Sequence, residues 1–225
     1  NSVRDITINF PLYNSVKTVR IGLEEGALSS CSDGYTDKKP IVFYGSSITQ
    51  GGCASRPGNS YQALISRRFN IDYFNFGFSG NALGEKTMAD YIAALPMSLF
   101  FLDFDHNSPN AEHLKAHHES FFLKIREKNP DLPVIMATKT DIPRSPAAEK
   151  SNAAHRAVVY ETYENAVKRG DRNVIFIDGA TVFSKALTLS APADSCTVDG
   201  CHPNDLGFAC MAKVFGDAIE KMFGL

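Results

Sequence analysis

Ile41-Val42-Phe43-Tyr44-Gly45-Ser46-Ser47-Ile48-Thr49 decides the fold: a short β-branched and aromatic run ends at a glycine and opens directly onto hydroxyl side chains. A brief apolar run without polar alternation suits a strand covered on both faces, as in a parallel sheet. Four comparable runs follow, at Ile71 to Phe76, Leu99 to Phe104, Val134 to Thr138 and Val174 to Asp178. Amphipathic stretches between and after them predict helices at Ser60 to Phe69, Lys86 to Leu95, Ala111 to Lys128, Asn152 to Arg169 and Asp205 to Phe223. Asn59 and Asn204 are placed to cap the first and last. Parallel strands joined by helices require crossover connections, which are right-handed almost without exception. The expected fold is therefore α/β, a three-layer α/β/α sandwich of flavodoxin-like type around a mostly parallel five-stranded sheet. Its ligand crevice should lie at the carboxyl ends of the strands.

Upstream the pattern changes. Asp5 to Phe10 and Val16 to Leu23 alternate apolar and polar side chains around Tyr13-Asn14-Ser15, which predicts two antiparallel strands, and Gly34 to Pro40 reads as a polar linker. The division expected is thus 1–40, an N-terminal hairpin and linker, and 41–225, the main domain. The hairpin is either an edge of that domain or the tail of a β-module.

Composition narrows the function. Apolar residues at 44%, charged residues at 21% and a net charge of -2 describe an ordinary globular chain. No basic footprint for nucleic acid or anionic lipid is present. The strongest apolar stretch, Pro96 to Phe104, is interrupted by Asp103 and followed by Asp105, so no membrane span is expected. The first residues, Asn1 to Ile8, lack the apolar centre of a signal peptide and say nothing about compartment. A diffusible, uncharged or mildly polar substrate fits best. Cysteines at 31, 53, 196, 201 and 210 match neither a Cys-x-x-Cys zinc framework nor a dense disulfide scaffold. Cys53 and Cys201 each fall close to a candidate catalytic residue, which leaves a bridge near the site open.

Ser47 emerges at the carboxyl end of the first strand, where this fold places its chemistry. A serine hydroxyl is a poor nucleophile at neutral pH and needs a base held by a third group. Far along the chain, Asp199-Gly200-Cys201-His202-Pro203-Asn204 precedes the last helix. An aspartate three residues before a histidine on a glycine-containing loop can engage one ring nitrogen and leave the other for a nucleophile.

Gly45-Ser46-Ser47-Ile48 resembles the first sequence block of the SGNH, or GDSL-type, hydrolases, and Asp199 to His202 resembles their last. The resemblance implies Ser47 as nucleophile with His202 and Asp199 as its partners. In Asn75-Phe76-Gly77-Phe78-Ser79-Gly80 it implies an oxyanion-binding backbone N–H at Gly80, joined by that of Ser47. In Asp105-His106-Asn107-Ser108 it implies an oxyanion-binding amide at Asn107. Ser46 departs from the family pattern, which has aspartate before the nucleophile, and Asp105 and Ser108 depart around the asparagine. The stretch Gly51-Gly52-Cys53-Ala54-Ser55-Arg56-Pro57 resembles a branch in which a β-sandwich module precedes the hydrolase domain. That branch implies a secreted or periplasmic setting and a short acyl group on a carbohydrate as the ester cleaved. A thioesterase or lipase with the same triad, and a carbohydrate-binding protein without turnover, are the rival readings.

Other motifs compete less well. The residues after Gly45 lack the Gly-Lys-Ser/Thr ending of a phosphate loop, and Gly80 and Gly84 also suit a simple turn. Asp103, Asp105 and His106, or His113 with His117 at helical spacing, could be imagined as metal ligands. Without a glutamate motif or cysteine cluster they read as a solvated face, so no catalytic metal and no cofactor are expected. His118 and His155 read as helix-surface residues. Arg56, Tyr61, Lys139 and Arg144 are candidates for the mouth of the site.

Overall fold

The structure, a computed structural model, describes residues 4–36, 38–187 and 192–225. Five parallel strands form one sheet: β1 (Ile41–Gly45), β2 (Tyr73–Gly77), β3 (Leu99–Asp103), β4 (Val134–Ala137) and β5 (Val174–Ile177), in the order β2-β1-β3-β4-β5. The three central strands, β1, β3 and β4, are buried at every position, which is why their sequences run apolar without alternation. Register is set by matched runs, with Ile41 opposite both Tyr73 and Leu99, and Gly45 opposite both Gly77 and Asp103.

Seven helices are described: α1 (Ser47–Gln50), α2 (Tyr61–Phe69), α3 (Lys86–Ala93), α4 (Ala111–Lys128), α5 (Pro146–Lys168), α6 (Val182–Ala186) and α7 (Asp205–Phe223). Odd-numbered strand residues such as Ile41, Phe43, Phe101 and Ile135 share a core with Tyr61, Ile65, Phe183, Phe208 and Phe215, which puts α2, α6 and α7 on one face. Even-numbered residues such as Val42, Tyr44, Phe100 and Met136 share the other core with Ile92, Phe121, Phe122 and Val159, which puts α3, α4 and α5 opposite. The expected three-layer α/β fold is the one observed. No helix among the described residues is long and apolar enough to cross a membrane.

Chain order reverses around β1, so the loops after β1, β2 and β3 open side by side at one end of the sheet, the topological position where such folds bind ligands.

Three local expectations need correction. Residues 4–36 contain no strand: the alternating side chains are there, but the segment is irregular and mostly exposed, because alternation selects a face without supplying a partner strand. Helix α5 starts at Pro146, six residues before the expected Asn152, because the Ser145 side chain caps it by accepting from Ala148 N and Pro146 suits the first turn. Asn59 does not cap α2; Ser60 occupies the cap position, and the Asn59 amide instead donates to Asp205 at 2.9 Å. Asn204 does cap α7, accepting from Gly207 N at 3.1 Å.

Candidate active site

Ser47 is the first residue of α1 and follows β1 by one residue. Ser46 is the N-cap, wholly buried, with its hydroxyl accepting from Ile48 N at 3.1 Å. The residue that departs from the family pattern therefore performs the capping that a short acceptor side chain must perform there. As the first helical residue, Ser47 keeps a backbone N–H with no acceptor among the described residues.

The loop before α7 is a closed turn. Val198 N donates to His202 O at 2.9 Å, and Gly200 holds φ +91, a left-handed conformation that favours glycine. Asp199 Oδ1 accepts from the N–H groups of Cys201 and His202 at 2.8 and 2.7 Å, while its Oδ2 lies 2.7 Å from His202 Nδ1. Burial alone would raise the Asp199 carboxyl. The hydrogen bonds from the His202 ring and from the two backbone N–H groups outweigh it and bring the pKa down to about 2. The far ring nitrogen, His202 Nε2, lies 3.0 Å from Ser47 Oγ across 155 residues of sequence. Hydroxyl, imidazole and carboxylate thus form one connected line.

Gly80 lies in the turn after β2 with φ +70 and leaves its N–H without a protein acceptor among the described residues. Asn107 ends the short turn after β3, where one N–H of its amide donates to Phe78 O at 2.9 Å. That bond ties the third loop to the second and leaves the other amide N–H available.

Several supporting residues escaped the sequence reading. The Gln50 amide bridges Leu12 O at 3.2 Å and Ser79 N at 3.0 Å, and Tyr13 donates its hydroxyl to Ser47 O at 3.1 Å, so residues 12–13 brace the turn that carries Ser47. Asp205 accepts from Ser55 N and Asn59, clamping the loop after α1 to the start of α7. Asp103 ends β3 beneath α1, where its Oδ2 accepts from Thr49 and Tyr61 at 3.3 and 3.4 Å. Burial drives that carboxyl up to about 8 against the opposing pull of the nearby His106 charge. An aspartate closing an apolar strand was the one available signal among these.

Three other side chains, Tyr61, His118 and His155, sit differently from expectation. Tyr61 is buried in the core and does not line a mouth, since its hydroxyl reaches Asp103. Arg56 and Arg144 are exposed; Arg144 lies over Gly200, and Lys139 is half-buried with its backbone N–H on Asp105. His118 and His155 are buried, not on the surface: His118 Nδ1 meets Thr162 Oγ1 at 2.9 Å, and the His155 ring faces the carbonyls of Ser151 and Ser108. All five cysteines are free.

The sequence matches the profile of the GDSL-like lipase/acylhydrolase family over residues 38–220. Among solved structures, the chain is similar to a Bacteroides ovatus ATCC 8483 protein described as a GDSL-like lipase, at 33% identity and TM-score 0.74, covering 83% of this chain and 54% of that one. The salicylyl-acyltransferase SsfX3 from a tetracycline biosynthetic pathway superposes with TM-score 0.66 at 24% identity over 79% of this chain and 53% of that one. A family two carbohydrate esterase from Clostridium thermocellum, in complex with cellohexaose, shares the fold at 15% identity and TM-score 0.64, over 89% and 68% of the respective chains. No curated protein matches. The chain spans about half the length of the first two structures. A profile match this extensive, on a chain that carries the serine, glycine, asparagine and histidine blocks in order on the expected loops, shows that the chain belongs to the GDSL-like lipase/acylhydrolase family.

Proposed function

We propose that this chain is a metal-independent serine esterase that hydrolyses carboxylic esters through an acyl-enzyme, with short acyl groups on carbohydrate as its substrates. The observation that carries the reading is the line from Ser47 Oγ to His202 Nε2 at 3.0 Å and from His202 Nδ1 to Asp199 Oδ2 at 2.7 Å. In this mechanism Ser47 Oγ attacks the ester carbonyl as its proton passes to His202 Nε2, and Asp199 stabilises the imidazolium. The N–H groups of Ser47 and Gly80 and the free amide N–H of Asn107 receive the developing oxyanion. Collapse of the adduct breaks the bond to the alcohol, which leaves with the proton from His202. Water, deprotonated by the same imidazole, then releases the acid and restores Ser47.

An open site supports a bulky alcohol. The His202 and Asp199 side chains are 33% and 48% exposed, so the histidine side of the triad lies at a surface that an oligosaccharide can approach without entering a closed cavity. Structural neighbours described as acetyl-xylooligosaccharide and acetylated-mannan esterases lend further support to this choice. We also propose that residues 1–40 are the tail and connection of a β-module preceding the hydrolase domain at 41–225. The exposed, alternating Ile6, Ile8 and Phe10 suit a sheet completed by other strands.

The test is hydrolysis of a chromogenic acetate and of acetylated xylo-oligosaccharides by wild type and Ser47→Ala. Loss of the nucleophile should lower kcat on the order of 10⁶-fold, with the circular-dichroism spectrum unchanged. Wild-type turnover by pure Ser47→Ala would exclude the proposed nucleophile. Acyl-chain and thioester series rank the lipase and thioesterase readings. Oligosaccharide binding without turnover would favour the binding-only one.

A further inference from the structure

The loops that carry Asn107 and His202 hold a second group of reactive side chains. His106 precedes Asn107, Cys201 precedes His202, and Asp141 follows β4; one ring nitrogen, one thiol and one carboxylate oxygen from these three all lie within 4.8 Å of one another. The hydrolysis proposed above uses none of them. His106 Nε2 is 2.5 Å from Asp141 Oδ1. On the opposite side of the ring, His106 Nδ1 and Asp105 Oδ1 are both buried without a hydrogen-bond partner and face each other at 3.6 Å.

We propose that His106, Asp141 and Cys201 form a binding site for a zinc-class divalent cation, with Asp105 orienting the imidazole from behind. One nitrogen, one carboxylate oxygen and one sulfur make a borderline-soft donor set, which suits zinc and leaves calcium or magnesium short of oxygen ligands. Tetrahedral zinc would place these ligand atoms about 3.3 to 3.8 Å apart, given bond lengths of about 2.0 to 2.3 Å. The His106–Asp141 pair, at 2.5 Å, would open by about 1 Å to admit the ion, and the ligand atoms already lie within 4.8 Å of one another. Asp141 and Cys201 are partly exposed, which leaves water access to a fourth position. A carboxylate behind a ligating histidine fixes its tautomer and raises its basicity, and Asp105, wholly buried and with one idle oxygen, is placed for that.

The ion would clip together the loops after β3 and β4 and the loop before α7.

The site stands apart from the esterase reading, and its test needs no turnover. Metal-free protein is titrated with Co²⁺ and then with Zn²⁺. The expected result is one equivalent of Co²⁺ giving a thiolate-to-metal charge-transfer band and a tetrahedral visible spectrum, displaced by one equivalent of Zn²⁺. Cys201→Ala and Cys201→Ser should abolish the band, and Asp105→Asn should keep it with affinity lowered about 10- to 100-fold. Cys53→Ala, which removes an exposed thiol outside the cluster, should leave it intact. Thermal unfolding gives a second readout: Zn²⁺ should raise the midpoint of wild type and Cys53→Ala, and not that of Asp141→Ala. Absence of the band in wild type, its survival in both Cys201 variants, or its loss in Cys53→Ala would overturn the assignment.

Discussion

His202 and His118 each place Nδ1 against an oxygen, at 2.7 Å from Asp199 and 2.9 Å from Thr162, yet they belong to regions built on different principles. The rim at the carboxyl end of the sheet is a set of short turns held by hydrogen bonds, and a third of the His202 side chain is open to solvent. The layer between the sheet and helices α4 and α5 is closed. There His118 is buried, stacked on Phe104 with ring centroids 5.5 Å apart, among Tyr44, Phe100 and Phe121. On the rim, an imidazole beside a carboxylate and a hydroxyl can move protons. In the layer, burial lowers the His118 pKa to about 3, so the same ring is a neutral packing group. Rim substitutions should therefore cost rate and spare stability, and layer substitutions should do the reverse.

Of the two regions, the rim should show the larger effect. Asp199→Asn keeps the size of the side chain but removes the negative charge and can hold the wrong tautomer of His202, so kcat should fall on the order of 10⁴-fold. The thermal midpoint near neutral pH should change little, since Asp199 is about half exposed. An Asp199→Asn protein that turned over at the wild-type rate would remove the carboxylate from the mechanism. In the layer, Phe121→Ala should cost about 3 to 5 kcal/mol of stability, measured by urea unfolding. Phe121 is 1% exposed, stacks on Tyr44 at 4.7 Å and packs on Phe100 and Phe104. The folded fraction should retain its kcat; a parallel loss of kcat would show that the layer shapes the site.

These two regions were not equally legible in the sequence. All five strands fall within two residues of the expected bounds, because a strand buried on both faces must be apolar throughout and a parallel sheet spaces such runs by helices. The serine and histidine blocks were legible as well, since each lies on a loop next to a regular element. His118 was misread although the signal was present: Leu114, His118, Phe121, Phe122 and Ile125 are the buried positions of α4, and the histidine sits on that stripe at helical spacing. Residue type outweighed position in that reading. The His106–Asp141 pair lay beyond reach, because its partners are 35 residues apart on different loops and neither has a local pattern. The irregular residues 4–36 show the limit of alternation as evidence, for Ile6 and Ile21 carry the expected periodicity and remain exposed.

Acid sharpens the contrast between the two imidazoles. His118 binds its proton in the unfolded chain near the ordinary pKa of 6.5 and in the folded protein only near 3. Between those values the unfolded state holds the extra proton, so the stabilising contribution is present above about 6.5 and is lost as pH falls towards 3. His118→Gln, which does not titrate there, should flatten that decline by up to about 1.4 kcal/mol per pH unit. Urea unfolding at pH 6.5 to 4.5 reads this above the range where Asp199, with a pKa of about 2, begins to contribute. An unchanged slope would mean that His118 is charged in the folded layer.

The smallest effect tests where the rim ends. Tyr13 belongs to the irregular N-terminal segment and is half exposed, but its hydroxyl donates to the carbonyl of Ser47, while the neighbouring Leu12 carbonyl takes the Gln50 amide that also holds Ser79. A solvent-exposed neutral hydrogen bond contributes about 0.5 to 1.5 kcal/mol at most, so Tyr13→Phe should lower kcat/KM by no more than about tenfold with KM nearly unchanged. Gln50→Ala removes both bridges at once and should cost more than Tyr13→Phe, chiefly in kcat, because it frees the turn leading to the Gly80 N–H. If both substitutions left kcat/KM at the wild-type value, the N-terminal segment would be a bystander lying on the rim. A graded loss would make residues 12 and 13 part of the scaffold that holds the Ser47 turn, although they precede the family match at residues 38–220 in sequence.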